Sequence, residues 1–198
     1  MPPVTGALLG ANILIYMLQL SGGLPLFEHF ALWPPSTGPQ VTPEFEVWQL
    51  VTYSFLHDPR SALHLMFNML ALYTFGRDVE RLFGSRWYLQ YYLASVVAAA
   101  LSHLLVTSWM GGPPIPTVGA SGGVYGLLLA YGIYFPRRTV ILLIPPIPMP
   151  ARVFVVLFAA LELYFGVTGT MSGVAHFAHL GGMLGGWLMI RSRRRRRS

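Results

Sequence analysis

Apolar residues in this chain occur in six long runs, separated by shorter stretches in which prolines, arginines and acidic residues collect. A bilayer core about 30 Å thick is crossed by a helix of about 20 apolar residues. The runs therefore predict six membrane helices, at residues 5–20, 61–75, 87–108, 118–135, 151–168 and 173–190. The second run is short and contains His64 and Asn68, whose polar groups are costly in lipid unless they face a cavity or a partner.

Composition supports the same fold class, an all-α membrane protein. Only 10% of the residues are charged, against about 25% in ordinary soluble domains. We expect one six-helix membrane domain at 1–190, with a long outer loop at 21–60 and a basic tail at 191–198. The chain has no cysteine, which excludes disulfides, thiol nucleophiles and cysteine-based metal sites.

The arginines predict the orientation of the helices. All 13 basic residues are arginine, and most lie between runs two and three, between runs four and five, or after run six. The positive-inside rule then places both termini in the cytoplasm and the 21–60 loop outside. We expect a multi-pass protein of a bacterial inner (plasma) membrane. The basic tail is interpreted as a topology signal rather than a nucleic-acid site, because no basic folded domain accompanies it.

Three polar residues are predicted to lie at one depth. Runs two, four and six all cross from outside to inside, and His64, Ser121 and His179 each lie a few residues into their run. At a rise of 1.5 Å per residue, each sits roughly 5–10 Å below the outer boundary. A water-filled cavity open to the outer face would explain this coincidence.

Glycines predict that the helices of runs four and six touch. Glycines spaced four apart let helix backbones approach closely, which would bring Ser121 and His179 within reach of each other. Generic helix packing without chemistry is the alternative. The pairs are Gly119 with Gly123, Gly122 with Gly126, Gly181 with Gly185, and Gly182 with Gly186.

Ser121 is a candidate nucleophile. It follows Pro116 closely and falls in the first turn of its helix, where unpaired backbone N–H groups could stabilise an oxyanion. A serine nucleophile needs a base, and His176 and His179 lie three residues apart on one helix face, so spacing alone does not choose between them. Tyr125, one turn below Ser121, could stack on the histidine ring. A packing serine is the alternative.

Further polar residues complete the candidate site. His64 and Asn68 share one helix face and could donate hydrogen bonds to an oxyanion, or could clamp two helices together. No aspartate lies near the histidines of run six, so a Ser-His dyad is expected rather than a Ser-His-Asp triad. Glu162, the one acid inside a predicted span, stays unassigned; it could pair with Arg152 or a tyrosine, or mark a proton path.

Between residues 46 and 190 the chain resembles the rhomboid family of intramembrane serine proteases. Each of the motifs that carry the resemblance is weak alone, but their order along the chain is specific. They are His64 with Asn68 (HxxxN), Gly76, Glu80 and Gly84 (GxxxExxxG), residues 119–122 (GxSG) followed by Tyr125, and residues 178–182 (AHxxG) followed by Gly186.

The resemblance implies the bacterial six-helix form, with Ser121 as nucleophile and His179, not His176, as general base. It implies an oxyanion hole of His64, Asn68 and the Ser121 amide, and an outer loop around Trp48 embedded in the membrane. Transmembrane proteins would be the substrates and lipid the surroundings, with no cofactor, metal or nucleic acid. Supporting roles fall to Gly119, Gly122, Tyr125, Gly182 and Gly186.

Two alternatives stay open. A catalytically silent member of the family would bind membrane helices without cleaving them. A metal site or transporter would use the imidazoles of His57, His64, His176 and His179. Transporters often contain internal repeats, and the sequence contains none that we recognise.

Overall fold

The computed structural model describes residues 1–35, 43–110, 115–170 and 175–195, most of which are helical. A 3₁₀ turn at Tyr53–Phe55 precedes α4, and a two-stranded antiparallel hairpin of β1 (Thr139–Leu143) and β2 (Pro146–Pro150) joins α6 to α7. The helices are α1 (Pro3–Leu20), α2 (Leu26–Phe30), α3 (Gln49–Thr52), α4 (Ala62–Phe83), α5 (Ser85–Met110), α6 (Ser121–Tyr134), α7 (Ala151–Thr168) and α8 (His176–Arg195).

The mostly helical architecture agrees with the predicted all-α class, apart from the hairpin. Prolines at every second position of β2 leave it few backbone donors, and proline is tolerated in such an edge strand. The segment between the fourth and fifth runs is apolar and rich in prolines, and no strand was predicted in it. The hairpin replaces the simple loop expected between the fourth and fifth helices.

Three helices are long and apolar enough to cross a membrane by length and composition: Pro3–Leu20, Ser85–Trp109 and Ala151–Thr168. The other long helices of the described chain differ from them in length or charge. α6 has 14 residues, α4 carries charged residues in its last two turns, and α8 ends in arginines. The protein is a multi-pass membrane protein by these helices, and the six-span count stays a prediction.

The second helix was predicted to end at residue 75, but α4 continues to Phe83. The reason is Glu80, whose buried carboxylate faces the start of α1 instead of solvent. It accepts hydrogen bonds from the Val4 amide at 3.0 Å and from the Thr5 amide and hydroxyl, each at 2.7 Å. The Ser85 hydroxyl donates a further bond at 2.7 Å. Charges after residue 75 therefore do not mark the end of this helix.

The last helix also differs from its predicted bounds. Its predicted start at residue 173 lies outside the described residues, and α8 runs from His176 to Arg195, well into the predicted tail. Arg193 lies over the Trp87 ring of α5 at 4.3 Å, which gives this part of the tail a packing partner. Residues 196–198 of the tail lie outside the described chain.

α6 is the central helix of the fold. It packs against α4, α5, α7 and α8, and nine of its 14 residues are buried. α5 and α8 pack closely beside it, so the start of α6 is held on several sides.

The described part of the 21–60 loop is folded onto the start of α6. Leu32 and Thr117 exchange two backbone hydrogen bonds, each at 3.0 Å. The buried Gln49 side chain accepts from the Trp33 amide at 3.1 Å and donates to the carbonyl of His29 at 3.3 Å. Residues 36–42 lie outside the described chain, and embedding of this loop in the membrane stays a prediction.

Candidate active site

A tight turn precedes the candidate nucleophile. Gly119 has a φ of +128°, a conformation that favours glycine, and its amide donates to the carbonyl of Tyr53 at 3.0 Å. A Cβ at this position would lie 2.9 Å from Nε2 of His64. Glycine at 119 therefore permits both the turn and the close approach of the imidazole, and α6 begins two residues later at Ser121.

The predicted backbone contact between α6 and α8 is made by Gly122, Gly126 and Gly182, whereas Gly123, Gly181 and Gly185 face α5 instead. A Cβ at Gly182 would lie 2.0 Å from the carbonyl oxygen of Gly122, and one at Gly126 would lie 3.3 Å from the carbonyl oxygen of Gly182. Gly186 faces the hydroxyl of Tyr91 on α5, and this hydroxyl donates to the Gly126 carbonyl at 2.7 Å. Any larger residue at 182 would push the two helices apart.

This contact brings together the serine and one of the two histidines. Oγ of Ser121 lies 2.8 Å from Nε2 of His179, which is a hydrogen-bonding distance. The His179 ring is stacked on the Tyr125 ring, with centroids 4.2 Å apart and planes 5° from parallel. A hydroxyl, an imidazole and a supporting ring from two helices thus meet at one point.

A carboxylate lies on the far side of the same imidazole. Oε1 of Glu162, on α7, is 3.0 Å from Nδ1 of His179. In the observed orientation of the ring, the N–H of Nδ1 does not point at this oxygen well enough to form a hydrogen bond. Oε2 is 2.6 Å from Nδ1 of His176, and the Tyr125 hydroxyl donates to Oε1. Glu162 therefore joins α6, α7 and α8 at one buried point.

The sequence left Glu162 unassigned beside an expected Ser-His dyad, and the structure places its carboxylate against both histidines of α8. Among the options left open for Glu162, the tyrosine partner is present, whereas its contacts in the described chain do not include Arg152. His176 is as buried as His179. The available signal was an ionisable side chain inside an apolar run, which requires a partner in lipid.

The residues expected to form an oxyanion hole differ in their contacts. Nδ1 of His64 accepts from the Asp58 amide at 3.4 Å, which assigns the ring proton to Nε2, the atom that faces Gly119. The Asn68 side-chain amide donates to the carbonyl of His64 at 2.9 Å, within its own helix. The Ser121 amide lies in the first turn of α6, where the helix supplies no acceptor.

The loop beside His64 carries two perturbed groups. A hydrogen bond from the Arg60 side chain holds the pKa of Asp58 below its usual value. Burial lowers the pKa of His57 to about 3, so this imidazole is neutral at physiological pH. Its ring lies 5.1 Å from the ring of His64. His64 therefore lies between a neutral imidazole and the Asp58 amide, whose nitrogen is 3.4 Å from Nδ1.

One group of residues in the described chain could hold a metal ion. Glu162, His176 and His179 each offer a ligand atom, and these atoms lie within 4.8 Å of one another. Carboxylate and imidazole are common zinc ligands. The four histidines of the alternative metal site fall into two pairs. His57 lies against His64, and His176 shares the Glu162 carboxylate with His179.

Comparison with known proteins identifies the family. Residues 44–196 match the family model described as the Rhomboid domain, so the chain belongs to the rhomboid family. It is 30% identical over 199 residues to the rhomboid protease GlpG of Haemophilus influenzae, an alignment covering 98% of this chain and 94% of that protein.

Other relatives are longer than this chain. It is 28% identical over 177 residues to the rhomboid protease GluP of Bacillus subtilis, covering 88% of this chain and 31% of GluP. It is 34% identical over 153 residues to RHOMBOID-like protein 4 of Arabidopsis thaliana, covering 73% of this chain and 33% of that protein. The matches thus span about a third of these two relatives.

The glycine contact generates a stability prediction. We expect Gly182→Ala to lower the free energy of unfolding by about 1–3 kcal/mol, because a backbone carbonyl cannot move aside as a side chain would. Thermal unfolding in detergent would measure the change. Gly10→Ala is the matched control, since a Cβ there meets nothing within 4 Å, and its melting temperature should not fall. Equal melting temperatures for Gly182→Ala and wild type would contradict the contact.

Proposed function

We propose that this protein is an intramembrane serine endopeptidase that cleaves transmembrane segments of membrane proteins with a Ser121–His179 pair. The observation that carries the proposal is the 2.8 Å distance between Oγ of Ser121 and Nε2 of His179, with the ring braced by Tyr125. Membership of a family that includes relatives named rhomboid protease supports the same activity.

The reaction follows from the positions of these atoms. Oγ of Ser121 attacks the carbonyl carbon of the scissile peptide bond while Nε2 of His179 accepts the hydroxyl proton. The imidazolium then donates that proton to the leaving amine, and an acyl-enzyme ester remains on Ser121. Water attacks the ester with His179 again acting as base, which releases the second product and restores the serine.

Donors for the developing oxyanion come from α4 and from the start of α6. The Ser121 amide is unpaired by the helix, and the positive end of the α6 dipole adds to its effect. Nε2–H of His64 lies over the same turn, against Gly119. Asn68 joins this set through the second N–H of its side-chain amide, since the first is bonded to the His64 carbonyl.

The membrane arrangement belongs to the proposal. A six-helix domain at 1–190 spans an inner membrane, with both termini and the 191–198 tail in the cytoplasm. The site then lies below the outer face and receives water from that side. A substrate helix enters laterally and unwinds locally, because the peptide bonds of a helix are shielded by their own hydrogen bonds. The proposal involves lipid and transmembrane substrates, and no cofactor or nucleic acid.

Covalent labelling tests the nucleophile. A fluorophosphonate should label wild-type protein in detergent but neither Ser121→Ala nor His179→Ala, because the first lacks the hydroxyl and the second lacks the base. Cleavage of a model transmembrane substrate should fall by about 1,000-fold or more in both variants.

Ser192→Ala is the control for this labelling. This serine lies on α8 as well, is exposed, and donates to the Met189 carbonyl of its own helix at 2.9 Å, so its loss should leave labelling unchanged. Equal labelling of Ser121→Ala and wild type would overturn the assigned nucleophile. Unlabelled wild-type protein that still binds substrate helices would identify the silent alternative.

A metal-dependent hydrolase is the second candidate, favoured by the Glu162, His176 and His179 group. A chelator separates the two functions, because the serine mechanism uses no metal. We expect cleavage and phosphonate labelling to be unchanged after dialysis against 1,10-phenanthroline. Loss of cleavage that Zn²⁺ restores would establish the metal function instead.

A further inference from the structure

We propose that Glu162 is a positioning residue for His179, so that Ser121, His179 and Glu162 form a relay across α6, α8 and α7. This inference rests on the proposed protease function and adds an acid to the Ser-His pair. The serine and the acid lie on opposite sides of the His179 ring, as they do in a Ser-His-acid triad. Nε2 of His179 faces Ser121 at 2.8 Å, and Nδ1 faces Oε1 of Glu162 at 3.0 Å.

The carboxylate selects the tautomer that the reaction needs. Nε2 must carry a lone pair to accept the serine proton, so the proton of the neutral ring must sit on Nδ1. An acceptor beside Nδ1 stabilises that form, and Glu162 supplies one. With the proton on Nε2 instead, Nδ1 would present a lone pair to a carboxylate.

Glu162 is itself held in place by groups other than His179. His176 lies 2.6 Å from Oε2, and the Tyr125 hydroxyl donates to Oε1. Tyr125 also stacks on the His179 ring, so one residue fixes both the carboxylate and the imidazole. The bend in the Nδ1 contact does not exclude the relay, because catalytic hydrogen bonds are often poorly aligned before substrate binds.

Charge gives the second reason. His179 becomes cationic during attack, and a buried anion beside it stabilises that state more strongly than it would in water. Glu162 is the one acid among the groups that face the ring in the described chain. The other titratable groups near it are Tyr125 on α6, His176 on α8, His64 on α4 and His103 on α5.

The spacing within the cluster favours hydrogen bonds over a shared metal ion. Ligands at about 2.0–2.1 Å from a tetrahedral zinc lie roughly 3.3 Å from one another. The His176 and His179 nitrogens are 2.6 and 3.0 Å from the carboxylate oxygens, which are distances of direct contact. A second competing role is a purely structural clamp between α7 and α8.

The test compares Glu162→Gln, which keeps the size and removes the charge, with Glu162→Asp, which keeps the charge. Relative to wild type, we expect Glu162→Gln to lower kcat for a model transmembrane substrate by about 100- to 10,000-fold, with KM changed less than about twofold. The rate of fluorophosphonate labelling should fall in parallel, because acylation also uses His179 as base. Glu162→Asp should recover at least about tenfold of the loss in kcat.

Glu80→Gln is the matched control. Glu80 is the other buried carboxylate in a long helix of the described chain, and its partners are amides and hydroxyls of Val4, Thr5 and Ser85. We expect this variant to lower the melting temperature and to leave kcat within about twofold of wild type. This difference in kcat separates a role in positioning His179 from the general effect of losing a buried charge.

Three outcomes would overturn the assignment. A kcat for Glu162→Gln within about threefold of wild type, with Ser121→Ala still inactive, would leave a Ser-His pair without an acid. A loss of kcat in Glu162→Gln that Glu162→Asp does not recover, together with a lower melting temperature, would establish the structural clamp. Absence of labelling and cleavage in wild type would instead defeat the proposed function, and with it the relay.

Discussion

The backbone contact between α6 and α8 determines the site. The Gly182 backbone lies so close to the Gly122 carbonyl that a Cβ could not be placed between them, and this contact fixes the distance from Ser121 to His179. Helices in lipid gain no hydrophobic free energy by associating, so close packing and polar contacts must hold them together. The Tyr91 hydroxyl adds such a contact from α5 to the Gly126 carbonyl. The glycines at this contact therefore both stabilise the packing of α6 against α8 and set the distance between the two helices.

Two buried carboxylates show how a polar group in an apolar fold acquires a role from its partners. Glu80 accepts from the first-turn amides of α1, where unpaired N–H groups and the helix dipole favour a negative charge. Its partners do not titrate near neutral pH, which suits a fixed link between α1 and α4. The partners of Glu162 are a tyrosine and two histidines, one of which contacts the serine. These groups can share protons with the carboxylate, which is consistent with the proposed role of Glu162 in positioning His179.

The sequence predicted the long helices and the contact between α6 and α8, but it did not predict the polar contacts that α4 and α7 make with other helices. Apolar runs and glycine spacing placed α6 beside α8, because both signals lie within single segments. The extension of α4 was missed because Glu80 is buried by α1, a contact that no local pattern records. Spacing alone left His176 and His179 equivalent. Glu162 stayed unassigned because both the exposed and the buried faces of α7 are mainly apolar, so its sequence does not indicate which face turns toward α8.

The described part of the 21–60 loop is mechanically coupled to the candidate site. The Tyr53 carbonyl accepts from the Gly119 amide at 3.0 Å, and the Tyr53 hydroxyl donates to the Val96 carbonyl of α5 at 2.9 Å. The Asp58 amide fixes the proton position on His64, which faces the same turn. A displacement of the loop would therefore move the Ser121 turn and the His64 ring together. Under the proposed serine mechanism the oxyanion donors must be in place before charge develops, so an ordered loop would be a condition for catalysis at Ser121.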